Sequence, residues 1–143
     1  MNESTTAILN KIDNAHSFEE LDEILKNLPK DSFCVRVDEM RQAHDIKSFN
    51  SILKDVTMSK SQFFDVLSGK AKPQKHHVIK IGIAMKLSVQ EINELLKLAH
   101  LKELYAKDKE DVVIMFGIQN GLTISDIQEK LEEINASFSL LEK

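Results

Sequence analysis

Residues 57–75, Thr57-Met58-Ser59-Lys60-Ser61-Gln62-Phe63-Phe64-Asp65-Val66-Leu67-Ser68-Gly69-Lys70-Ala71-Lys72-Pro73-Gln74-Lys75, decide how this chain is read. Ser59 followed by Gln62 is a helix start: the Ser hydroxyl accepts from a backbone N–H one turn on, and the Gln side chain reaches back. Phe63, Val66 and Leu67 fall on one face at helical spacing, while Ser59, Lys60, Ser61, Gln62 and Asp65 point away. Gly69 stops the helix, Lys70 and Lys72 lie in a loop, and Pro73 opens another helix. The stretch also sits in the one basic part of an acidic chain. Residues 54–86 carry seven Lys against Asp55 and Asp65 and sum to +5, against −4 for residues 1–53 and −5 for residues 87–143. A basic stripe on an acidic chain points to a phosphate backbone as partner.

The same start signal recurs outward from this segment. Ser17–Glu20 and Ser88–Glu91 repeat the pattern, and Thr123–Asp126 is a version with Asp in third place. Each precedes apolar residues at helical spacing: Phe18, Leu21, Ile24, Leu25 and Leu28, ended by Pro29; Val89, Ile92, Leu95, Leu96 and Ala99; Ile124, Ile127, Leu131 and Ile134. Periodicity alone adds helices at about 3–14, 35–44, 48–55, 75–85 and 108–120. The last of these is apolar almost all round, which predicts the most buried helix, with Phe116 in the core. The predicted core also holds Phe63, Val66, Ile79, Ile83, Ile92, Leu96 and Val113. Only four Gly and two Pro in 143 residues argue for long regular elements, and the scattered Val, Ile and Thr argue against a sheet. The fold class expected is all-α.

An internal echo runs at an offset of 35 residues. Val78, Ile79, Gly82, Ile83, Leu87, Ile92, Glu94 and Leu96 return as Val113, Ile114, Gly117, Ile118, Leu122, Ile127, Glu129 and Leu131. A buried helix, a Leu turn and a capped amphipathic helix therefore occur twice. The second pair is expected to stack on the first and extend its core.

The order of elements is that of a helix-turn-helix, in which a second helix lies in the major groove and the first crosses the backbone. Residues 48–55 are the supporting helix and Ser59–Leu67 the reader. Ser, Gln and Lys can bond base edges or phosphates. The candidate DNA-contacting set is Asn50, Ser59, Lys60, Ser61, Gln62, Asp65, Lys70, Lys72 and Lys75.

Residues of about 41–99 resemble the phage-repressor-type (Xre-like) helix-turn-helix family of bacterial regulators. The resemblance is carried by Met58-Ser59-Lys60-Ser61, Leu67-Ser68-Gly69-Lys70-Ala71-Lys72-Pro73 and Leu87-Ser88-Val89-Gln90-Glu91-Ile92. The tail, with Leu95-Leu96-Lys97-Leu98-Ala99, Leu104-Tyr105, Lys109-Glu110-Asp111 and Gly121-Leu122-Thr123, is similar to a subgroup with an N-terminal helical segment and a C-terminal two-helix extension. The resemblance implies a helix-turn-helix bundle of about five helices with added helices at both ends. It divides the chain into 1–40, 41–101 and 102–143, the last packed on the domain. It further implies a cytoplasmic transcriptional regulator that binds double-stranded DNA, commonly as a homodimer reading two half-sites.

Three positions depart from the family pattern: Thr57 stands where Gly is usual, Leu53 where Ala is usual, and Gln74 where a Ser or Thr cap is usual. Thr57 would be strained if its φ is positive. The alternative reading is a helix-turn-helix scaffold that binds a protein partner rather than DNA, through the Phe64 face or through residues 102–143.

Other classes find little footing. The single Cys34 excludes an internal disulfide and reads as a small buried apolar residue. His76 and His77 are adjacent, so they cannot chelate as an i, i+4 pair, and no metal or cofactor is expected. No Gly-rich phosphate loop or hydrolase motif points to an enzyme. No apolar run approaches the ~18 residues of a membrane span, and the N-terminus has no basic signal-like region.

Overall fold

The computed structural model describes residues 5–26 and 33–141. Among them there are helices and no strands, as the composition predicts. The chain divides into two compact units, Met1–Ser32 and Phe33–Lys143.

In the first unit, α1 (Thr5–Asn14) and α2 (Phe18–Lys26) pack on each other. The predicted start at Ser17 is present: its hydroxyl accepts from the Glu20 N–H at 3.2 Å, and the Glu20 carboxylate accepts from the His16 N–H at 3.0 Å. Leu9, Ile12, Phe18 and Leu21 are exposed. The expected stop at Pro29 lies outside the described residues.

The second unit holds α3 (Phe33–Ala43), a 3-10 helix (Phe49–Asp55), α4 (Lys60–Ser68), α5 (Lys75–Ala84), α6 (Val89–Leu98), α7 (Lys109–Gln119) and α8 (Ile124–Glu133). α3 packs on α4 and α6, so it belongs with this unit. Two contacts tie α3 to α6: Arg36 pairs with Glu94, and His44 Nε2 sits 2.9 Å from a Glu91 carboxylate oxygen. Burial pushes the Glu91 carboxyl up, but the Ser88 and His44 hydrogen bonds outweigh it and hold it below its ordinary value. Cys34, on the first turn of α3, is exposed rather than buried.

The supporting element is a 3-10 helix and not an α-helix. Ser48 is extended and makes no side-chain cap; the Ser51 N–H and hydroxyl both turn back to the Ser48 carbonyl, at 3.2 and 2.6 Å, which favours the tighter i→i+3 pattern. Arg41 holds the segment before it. Its guanidinium donates to the Ile46 and Lys47 carbonyls at 2.7 and 3.0 Å, pairs with Asp38 and lies 5.4 Å from the centre of the Phe49 ring.

The offset echo is a structural repeat. Gly82 of α5 lies against Ile92 of α6, and Gly117 of α7 lies against Ile127 of α8. The turns match as well: the Leu87 N–H donates to the Gly82 carbonyl and the Leu122 N–H to the Gly117 carbonyl, both at 2.9 Å. These are helix endings in which a left-handed residue precedes an apolar one. The left-handed residue is Lys86 in the first copy and Gly121 in the second. Asn93 and Gln128, 35 apart, then catch the chain that follows each pair, accepting from the Leu104 and Leu140 N–H groups at 2.8 Å.

Phe63, Val66, Ile79, Ile92 and Leu96 are buried as expected, and Ile83 and Val113 are half-buried against the core. Phe116 is 59% exposed and Val112 45%, so Phe116 is not a core residue. The most buried helix is α5, where every residue from His76 to Gly82 is buried. α7 packs on α6 and α8 and leaves its remaining apolar side uncovered. No described helix is long and apolar enough to cross a membrane.

Candidate nucleic-acid interface

The site is built on α4 and the loop behind it. Ser59 is extended and its hydroxyl accepts from the Gln62 N–H at 3.1 Å, the predicted cap in half: the Gln62 side chain turns to His77 instead of reaching back to Ser59. Lys60 and Ser61 are exposed on the first turn, beside the positive end of the helix dipole. Phe63, Val66 and Leu67 are buried, as the spacing required. Phe64 is half-buried: its ring meets Phe63 edge-on at 5.3 Å, and Phe63 meets Phe49 at 6.0 Å. An aromatic run thus fastens α4 to the 3-10 helix, and Phe64 is part of it. Gly69 closes α4 with φ +84°, and the Asp65 carbonyl accepts from the Ala71 N–H at 2.9 Å. Asp65 is half-buried, and Asn50 is exposed on the 3-10 helix.

The turn before α4 has the positive φ that makes Thr57 strained, at 54°. Its carbonyl accepts from the Lys80 ammonium at 3.2 Å. Lys80 is 1% exposed, and burial lowers its pKa.

The seven lysines therefore separate by role. Lys80 is buried behind the turn. Lys75 pairs with the buried Asp111 at 2.7 Å and lies 4.7 Å from the centre of the Phe138 ring. Asp111 also accepts from the Tyr105 N–H at 2.9 Å, so Lys75 fastens α5 to the segment around α7. Lys54, Lys60, Lys70, Lys72 and Lys86 are exposed. None of the ion pairs among the described residues takes Lys60, Lys70 or Lys72. Lys60 and the Lys70–Lys72 loop bracket α4, whose nine residues span roughly 13 Å.

Two residues outside the candidate set shape the site. His77, 4% exposed, accepts at Nδ1 from the Gln74 N–H at 3.1 Å, which supplies the start of α5 with a partner that Gln74 was not expected to find. Its Nε2 lies 3.3 Å from the Gln62 side-chain nitrogen, Nε2. Burial, with the charges of His76 and Lys80, lowers the His77 pKa to about 4, so the ring is neutral near pH 7. The sequence signal for His77 was its place three residues after the cap of α5, where a side chain reaches back to the cap N–H. Asp111 had the same kind of signal, three residues after Asp108, whose carboxylate caps α7.

The chain matches no protein-family model, no curated protein and no solved structure with which it was compared.

Proposed function

We propose that the protein is a sequence-reading, DNA-binding regulator that lays α4 in the major groove. The observation that carries this reading is the set of exposed cations, Lys60 at one end of α4 and Lys70 and Lys72 at the other, with no carboxylate partner among the described residues. Their separation, set by the helix between them, is close to the ~12 Å width of the major groove, so they reach phosphates on either side of it. Asn50, Ser61 and Gln62 supply polar groups for sugar, phosphate or base edges. Asp65 opposes nearby phosphates and keeps non-specific binding weak. Lys75 contributes little, because Asp111 already holds it. The test is selection of duplex DNA from a random pool, with affinity then followed by fluorescence anisotropy against salt. Absence of affinity near 50 mM salt, where electrostatic binding is strongest, overturns the reading.

One observation favours a second reading, a helix-turn-helix scaffold that binds a protein. Val112 and Phe116, one turn apart on α7, form an exposed apolar stripe within residues 102–143. Binding of a protein partner by a chain with no DNA affinity, lost in Phe116→Asp, is the outcome that supports it.

A further inference from the structure

We propose that His77 fixes the orientation of the Gln62 amide, so that Gln62 presents its NH2 outward and selects a guanine in the major groove. This rests on the DNA-reading role of α4 given above. His77 sits at the start of α5, is buried, and its Nδ1 is occupied as an acceptor by the Gln74 N–H. A neutral imidazole that accepts at Nδ1 carries its proton on Nε2. That Nε2 lies 3.3 Å from the Gln62 Nε2, which sets two donors against each other, whereas an N–H there requires an acceptor. The amide oxygen is the acceptor Gln62 has, and a half-turn about the last side-chain bond exchanges it with the NH2.

With the oxygen held inward, the half-buried Gln62 offers donors outward. The usual pairing of an amide with adenine uses one donor and one acceptor, toward N7 and the N6 amino group. An amide whose oxygen is held lacks the second. Guanine presents two acceptors, O6 and N7, and matches donors alone. Lys60 and Ser61, on the same first turn, make no hydrogen bond with this pair, so the selection is assigned to Gln62 and His77 together.

The experiment uses the full chain and a randomised duplex pool, with wild type, Gln62→Ala and His77→Phe selected in parallel. A 15N spectrum of the unbound wild-type protein reports which ring nitrogen of His77 carries the proton. The expected result is a guanine preference at one position that Gln62→Ala abolishes. His77→Phe should lower the guanine-over-adenine ratio there by about tenfold with the salt slope unchanged. The spectrum should place the proton on Nε2. A protein that selects DNA but shows the same ratio in His77→Phe, or carries the proton on Nδ1, overturns the inference and leaves the DNA-reading role standing. Loss of all DNA affinity in the wild type overturns both. If His77→Phe does not fold, the wild-type spectrum and Gln62→Glu decide. Glu offers acceptors alone, so its preference should move from guanine to cytosine, whose N4 amino group donates. An unchanged preference in Gln62→Glu overturns the inference.

Discussion

The Ile92 side chain lies 2.5 Å from the point where a Cβ on Gly82 would stand. The contact is copied, closer still, by Ile127 against Gly117. Each glycine is therefore needed for the close approach of two helices and not for an unusual backbone angle. Gly82→Ala and Gly117→Ala should each destabilise by about 1–3 kcal/mol, as overpacked cores do, despite the better helix propensity of Ala. In Gly82→Ala combined with Ile92→Ala, the costs should be less than additive, because the second change removes the atoms the first one meets. Urea denaturation of Gly82→Ala, Gly117→Ala, Ile92→Ala and the double variant measures this.

Lys75 and Asp111 offer a test that separates structure from the proposed DNA contact. Asp111→Ala leaves Lys75 and the Tyr105 N–H without their acceptor and should cost about 1–3 kcal/mol. Lys75→Ala should lower stability too, yet leave the salt slope of DNA binding where it was. Lys70→Ala and Lys72→Ala should leave stability within ~0.5 kcal/mol and each flatten that slope by about 0.9. A flatter slope in Lys75→Ala would show that the Asp111 pair opens on binding.

His77 gives stability a pH dependence of known sign. Its folded pKa, about 4, lies below the ~6.5 of an unfolded His. Between those values the unfolded chain binds a proton that the native state refuses. Stability from this source is therefore complete above about pH 6.5 and declines as pH falls toward about 4. His77→Phe lacks that component, so the Tm difference between wild type and variant should shrink on acidification.

Thr57 is a β-branched residue at φ 54°. Thr57→Gly removes the clash and should stabilise by about 1 kcal/mol, less the greater freedom of Gly in the unfolded chain. Thermal unfolding of the variant checks it, and a loss of stability would mean that the Thr side chain supports the turn.

Much of the fold could be read in the chain because its helix starts are written locally. Ser17, Ser59, Ser88 and Thr123 all cap, and each cap is a bond between residues three apart. Burial was less legible. α5 and α7 carry similar apolar runs, and periodicity cannot rank two helices that are apolar all round. What separates them is which of their faces the rest of the unit covers, a property of the assembled unit. The same reason exposes Phe116 and Cys34. In the candidate site, Lys60, Ser61, Lys70 and Lys72 stand exposed where the motif put them, whereas Lys75 and Lys80 are taken up by Asp111 and by the Thr57 carbonyl. Those partners are 36 and 23 residues away, and no local pattern announces them.

The clasp of α3 on α6 sets the order in which the second unit can assemble. Within α5–α6 and α7–α8, partners are near in sequence and closing the loop costs little entropy. Arg36 and Glu94 are 58 residues apart, and His44 and Glu91 are 47 apart. Contacts of that span reward the chain only after the intervening helices have formed. The two helical hairpins should thus form early and α3 should dock late. Changes at Arg36 or His44 should speed unfolding and leave the folding rate nearly unchanged, whereas changes at Ile92 or Ile127 should slow folding itself.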